Sequence, residues 1–172
     1  MQKNKKINIL IIIILPLLLL ATSLLAGISY TINHTYGIVR DNTTGLVWMR
    51  CTLLKSGINH DPFCNYTSPT DVFTWDEAVN ACNNLNNSQY RGYSNWRLPS
   101  VRELQSLADY AHGKTPSINE KAFPYTKSKE YWTSTSHANS PGNFKWFINF
   151  YNGTVNWNYT TTQYFVRCVA GP

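Results

Sequence analysis

The chain has 172 residues and a formal net charge of +6; with 43% hydrophobic and 14% charged residues it has the composition of a globular protein, not a disordered one. Lys3, Lys5 and Lys6 supply part of that charge from the first six positions, and without them 12 basic residues face 9 acidic ones, a balance of +3. This excludes a surface given over wholly to nucleic acid or another polyanion.

MQKNKK is followed by an almost unbroken apolar run from Ile7 to Ile28. A basic start, an apolar centre and small residues at Ala21-Thr22-Ser23 or Ala26 describe an export signal over residues 1–28. The run is also close to the length that spans a bilayer, so an uncleaved anchor is the alternative, and the membrane is met only through this segment. It carries no cysteine for lipid attachment. Either way residues 29–172 leave the cytoplasm as one domain of about 145 residues, enough for a single core.

Four cysteines follow the leader, Cys51, Cys64, Cys82 and Cys168. An even number in an exported chain reads as two disulfides, with three possible pairings. Cys51 and Cys64 flank a short polar loop with Gly57 and Pro62, which pairs them and leaves Cys82 for Cys168. No CxxC and no histidine at ligand spacing suggests a metal, so neither a metal nor a cofactor is expected.

YGIVRD and GLVWMR, separated by NTTG, read as a hairpin. TWDEAVNACNNL reads as a helix capped reciprocally by Thr74 and Glu77, with Ala78, Val79, Cys82 and Leu85 inward and an end within NNLNNS. In GYSNWRLPS, Gly92–Asn95 form a turn and Trp96–Leu98 a short extended piece, and Pro99 holds Leu98 extended. Ser100 and Glu103 then cap a second helix whose apolar side is Val101, Leu104, Leu107 and Ala108. Trp96 is a core anchor, and Arg97 pairs with a buried carboxylate or with backbone carbonyls. YWTSTS reads as a strand, and FKWFINFYNGTVNWNY as a hairpin about a type I′ turn at Asn152-Gly153. YFVRCVAG supplies the last strand. The plan is α+β, with two helices and antiparallel strands stabilised by disulfides.

These stretches carry a resemblance. DNTTGLVWMRC, TWDEAVNAC, GYSNWRLPSVRELQSL, INEKAFP, YWTSTS and the terminal VRCV resemble, in order, the Lcl C-terminal domain family, named for a bacterial collagen-like surface adhesin. The resemblance runs from about Tyr36 to Ala170. It implies a bacterial extracytoplasmic domain related to the C-type lectin fold, in which a disulfide from the first helix to the last strand matches the Cys82–Cys168 pairing. The collagen-like repeats of the namesake do not occur in this sequence, so multivalent adhesion through them is not implied. The calcium-site tripeptides of sugar-binding C-type lectins do not occur either, and Tyr159 follows Trp157-Asn158 where an acid would stand. WRLPS with Glu103 also resembles a stretch of the formylglycine-generating sulfatase-activating family. That activity needs two reactive cysteines near the C-terminus, where this chain has only Cys168.

The function expected is non-enzymatic binding of a glycan, or of a sulfated polyanion as the resemblance implies, at the cell surface, in the periplasm or in secreted form. The histidines His34, His60, His112 and His137 are scattered, and no nucleophile, base and oxyanion set comes together. Tyr131, Trp132, Trp157 and Tyr159 are the candidate sugar-stacking residues, with Lys145, Lys127 and Lys129 as anion contacts. Trp48, Trp75, Trp96 and Trp146 are expected in the core. The alternative is an envelope protein-interaction module, marked by an exposed apolar patch without sugar affinity.

Overall fold

The computed structural model describes residues 29–56, 63–65, 68–111 and 113–172. The export signal or anchor expected over residues 1–28, most of the Cys51–Cys64 loop with His60 and Asp61, and His112 lie outside the described residues. Among those described, no helix is long and apolar enough to cross a membrane.

Among the described residues, two antiparallel sheets and two α-helices make up the fold, with a 3-10 turn at Tyr90–Gly92. The first sheet has the order β1-β2-β3-β7, from β1 (Tyr30–Asn33), β2 (Ile38–Asp41), β3 (Val47–Met49) and β7 (Val169–Ala170). The second has the order β4-β5-β6, from β4 (Glu130–Ser136), β5 (Phe144–Asn149) and β6 (Thr154–Tyr159). Helix α1 (Trp75–Asn84) and helix α2 (Val101–Gln105) complete it.

The expected β2–β3 hairpin is present. The Asp41 carboxylate closes its turn by accepting from the Thr43 and Thr44 amides and the Thr44 hydroxyl, and Gly45 supplies φ +76°. β1 extends this sheet by pairing with β2, an element that the pattern of YTIN was too short to announce. Both capping boxes are formed: Thr74 Oγ1 accepts from the Glu77 amide and Ser100 Oγ from the Glu103 amide, each glutamate reaching back to the cap N–H. α1 ends at Leu85, inside NNLNNS.

Two expectations about the later strands change. Asn149 pairs with Thr154, so the β5–β6 connection is a four-residue loop and not a two-residue type I′ turn. Phe150 is the cause. Its ring is fully buried and its amide donates to Lys129 O at 3.0 Å, which draws the chain inward before it can reverse. The strand expected over YFVRCVAG is likewise only Val169–Ala170, because Tyr164 and Phe165 bridge separately to Phe73 and Tyr131.

The disulfides Cys51–Cys64 and Cys82–Cys168 are the expected pairs, and they suit an oxidising compartment outside the cytoplasm. Cys82, on the inward face of α1, thereby fastens that helix beside β7 in a core shared with Met49, Trp96, Trp132 and Val166. A second core gathers Trp48, Leu104, Phe123, Tyr131, Ile148 and Phe150 under α2.

Candidate functional site

β5 and β6 lie in direct register, Phe144 opposite Tyr159, Trp146 opposite Trp157 and Ile148 opposite Val155. Directly opposed residues share a face, so these six form one side of the ribbon. α2 packs on β5 at one end, where Leu104 and Ile148 belong to one core with Val155 against it. Five helical residues rise only about 7.5 Å, against about 20 Å of strand, so the other end is left uncovered. There Phe144 contacts Tyr159 and Trp157 at ring separations of 4.4 and 4.8 Å, and His137 contacts Trp157 at 4.8 Å and Trp146 at 5.7 Å. Trp157 is 41% exposed and Tyr159 58%. The result is a ladder of aromatic rings open to solvent. Under it, His137 Nδ1 is buried with no hydrogen-bond partner among the described residues.

The opposite face of β6 carries Asn156 and Asn158, across from Phe147 and Lys145. β6 is an edge strand, and its Trp157 and Tyr159 amides donate to the Asn156 and Asn158 side-chain carbonyls, each at 2.8 Å. Asn158 in turn donates to the Tyr164 hydroxyl at 2.8 Å, which fixes its side chain.

The sequence candidates do not assemble into one site. Trp157 and Tyr159 stand in the ladder. Tyr131 and Trp132 are 0% exposed and are not stacking residues, because β4 is covered on both faces. Tyr131 packs edge-on against Phe150 beneath α2, and Trp132 lies against Tyr164 with its indole N–H donated to Phe73 O. Lys145 is only 7% exposed and is not free for an anion. It projects to the face opposite the ladder, 3.9 Å over the Trp75 ring, and donates to Ser136 Oγ at 2.8 Å. Trp146 and Trp75, expected in the core, are half-buried; Trp146 belongs to the ladder and Trp75 carries Lys145. Trp48 and Trp96 are core residues as expected.

Lys127 and Lys129 precede the Glu130 end of β4, which pairs with Asn149, whereas Phe144 and Tyr159 of the ladder lie toward its Ser136 end. They line an open cleft of about 320 Å³ with Pro69, Val72, Tyr164 and Phe165. Lys114 and Lys121 line a different cleft, of about 420 Å³, together with Asp109 and Glu120. Lys114, Lys121, Lys127, Lys129 and Lys145, close in sequence, are thus dispersed in the fold.

GYSNWRLPS is not part of the ladder. Arg97 makes a two-pronged pair with Glu103, at 2.8 and 2.7 Å, and Glu103 also accepts the Ser100 amide. The Arg97 hydrogen bonds hold the Glu103 carboxyl down at about 2. The carboxylate expected for Arg97 therefore exists, half-buried, six residues along the chain.

The residue that sequence reasoning missed most plainly is Arg167. It is wholly buried, donating to Met49 O, Arg50 O and Thr126 Oγ1, with its guanidinium 4.9 Å from the Phe123 ring centroid. Burial lowers its ionisation to about 10. Among the described residues no cluster of three or more His, Cys, Asp or Glu side chains is placed to hold a metal ion.

The family model described as Lcl C-terminal domain matches residues 37–170. The chain belongs to the Lcl C-terminal domain family. The match begins at the turn before β2 and ends with β7, so it takes in every element of this Lcl C-terminal domain except β1. No curated protein matches the chain.

Proposed function

We propose that this Lcl C-terminal domain is a non-enzymatic, extracytoplasmic glycan-binding domain, secreted or held at the cell surface or in the periplasm, and that its platform is the β5–β6 ladder. The observation that carries the reading is the exposed pair Trp157 and Tyr159, set on Phe144, Trp146 and His137. Aromatic faces pack against the C–H faces of sugar rings. The α1-to-C-terminal disulfide supports kinship with C-type-lectin-like folds. With Lys145 turned away and Lys127 and Lys129 beyond the other end of β4, the platform is suited to neutral sugars and not to sulfated ones.

The test is retention of the exported, oxidised protein on neutral glycans and on a sulfated polymer across a salt series. Neutral-glycan binding that ignores salt and weakens about tenfold in Trp157→Ala is expected, the scale of a buried aromatic contact. Binding that falls with salt and survives Trp157→Ala would replace this reading with polyanion recognition. Binding to no glycan would leave the same exposed apolar face as a protein-interaction surface.

A further inference from the structure

The lysine cleft has a chemistry of its own. Its wall is apolar, formed by Pro69, Val72 and Phe165, with Tyr164 beside them. Its charged groups are Lys127, Lys129 and Glu130. Among the described residues neither lysine forms an ion pair, whereas Glu130 Oε1 is engaged by the Asn149 side-chain amide at 3.0 Å. Two ammonium groups against one carboxylate leave a single net positive charge at an otherwise apolar opening.

The segment bearing these lysines is fastened from below. The Lys127 amide donates to the Tyr131 hydroxyl at 3.0 Å, and that hydroxyl shares a 2.7 Å hydrogen bond with Thr52 Oγ1. Thr126 Oγ1 accepts from Arg167 at 2.8 Å and donates to Phe123 O at 2.7 Å. The Lys129 amide donates to Lys127 O at 2.8 Å, and Lys129 O accepts from Phe150 at 3.0 Å. A fully buried cation without a carboxylate partner is costly, and Arg167 ties this segment to β3 and the residue after it. The lysine backbone is therefore preorganised, which lowers the cost of ordering it around a ligand.

We propose that this cleft is a second binding site, distinct from the ladder, for a small monoanion with an apolar body, a carboxylate held by Lys127 and Lys129. The apolar body packs on Pro69, Val72 and Phe165, and the volume is at the lower end of the range for small-ligand sites. Glu130 sets the charge class. One net positive charge suits a carboxylate, whereas a phosphate monoester, nearly a dianion at neutral pH, meets Glu130 with excess negative charge. Arg167, Thr126 and Tyr131 are positioning residues, since they act through the backbone that carries the lysines.

The experiment is an amide-resolved NMR titration of the exported, oxidised protein with 3-phenylpropionate, its uncharged twin 3-phenylpropionamide, and phenyl phosphate. The expected result is saturable shifts at the Lys127, Lys129, Tyr164 and Phe165 amides with the carboxylate. Binding about tenfold weaker is expected for the amide and for the Lys127→Gln/Lys129→Gln variant, the scale of a charge-assisted hydrogen bond. Thr126→Val, with a spectrum that otherwise shows the fold retained, should weaken the carboxylate more than the amide and so lower the ratio of acid to amide affinity toward that of the double lysine variant. Absence of saturable shifts, equal affinity for acid and amide, or tighter binding of phenyl phosphate would overturn the proposal. So would shifts confined to the Trp157 and Tyr159 amides, which instead report on the ladder.

Discussion

Replacing Glu103 by Gln isolates the ion pair at the joint between the strand-like Trp96–Leu98 piece and α2. Glutamine keeps the reciprocal cap, because its side-chain oxygen can still accept the Ser100 amide, so the change removes charge and not the helix start. The Glu103 carboxyl is drawn from its usual 4.5 to about 2, first by the Arg97 hydrogen bonds and against the opposing effect of burial. Such a shift converts to about 3 kcal/mol at full value. Arg97 is 39% exposed in its side chain, so solvent screening reduces this, and the expected loss at pH 7 is about 1–2 kcal/mol. A carboxyl with a lowered folded value contributes in full above its unfolded value of 4.5 and loses that contribution as pH falls toward 2. Urea unfolding of both proteins at pH 7, 4 and 2 reads this directly. The gap should be largest at pH 7, smaller at pH 4 and about 0.4 kcal/mol or less at pH 2, where the folded carboxyl is half protonated. Equal midpoints at pH 7, or a gap at pH 2 as large as that at pH 7, would refute the assignment of the stabilisation to the Arg97–Glu103 charge.

Replacing both Cys82 and Cys168 by Ser opens a link between residues 86 apart, against 13 for Cys51 and Cys64. Chemical denaturation should show losses of about 4–5 and about 3 kcal/mol respectively, and the reverse order would contradict the loop-length argument. Gly153→Ala places a Cβ into the Tyr110 ring at φ +75°, so a loss of about 2 kcal/mol is expected, and Tyr110→Ala in the same chain should recover only the steric part. Asn156→Ala/Asn158→Ala uncovers the two outward amides of the β6 edge, and light scattering should then show concentration-dependent association. A variant that stays monomeric at every concentration would show that the edge needs no such cover.

The parts of the fold readable in sequence were those set by neighbours along the chain. Thr74–Glu77 and Ser100–Glu103 are local exchanges of two hydrogen bonds, so the letters suffice to place both helix starts. Cys51 and Cys64 could be paired from a short loop alone. Alternation likewise put Trp146 and Ile148 on one face of β5, but it cannot say how far a helix covers that face. Ile148 is under Leu104, while Trp146, two residues back, is in the open ladder. Lys145 and Tyr131 failed for the same reason. Each lies on a strand whose cover comes from residues far away in sequence, Trp75 for Lys145 and Thr52 for the Tyr131 hydroxyl. Arg167 shows the limit most clearly, since a wholly buried cation served by two backbone carbonyls and Thr126 leaves no pattern in the letters.

The stretch GYSNWRLPS carries the family resemblance and touches neither candidate site, and its hydrogen bonds explain both facts. The Trp96 indole donates to Tyr90 O, which anchors it in the core. Arg97 exchanges backbone bonds with Val169, on the edge strand of the first sheet, at 2.9 and 3.0 Å. Two residues later Pro99 O accepts the Ser134 amide of β4, in the second sheet, at 2.7 Å. One short segment thus joins the two sheets and then starts α2 with its own cap, and the placement of α2 decides how much of the β5–β6 face is covered. Such a joint constrains Trp, Arg, Pro and Ser by backbone geometry, whatever ligand the domain meets. The ladder and the lysine cleft are bound by no such rule, because Trp157, Tyr159, Lys127 and Lys129 can change without breaking a bond between the sheets. The most legible stretch of this sequence is therefore the one that holds the sites in place, and ligand choice is written in residues whose neighbours only the fold reveals.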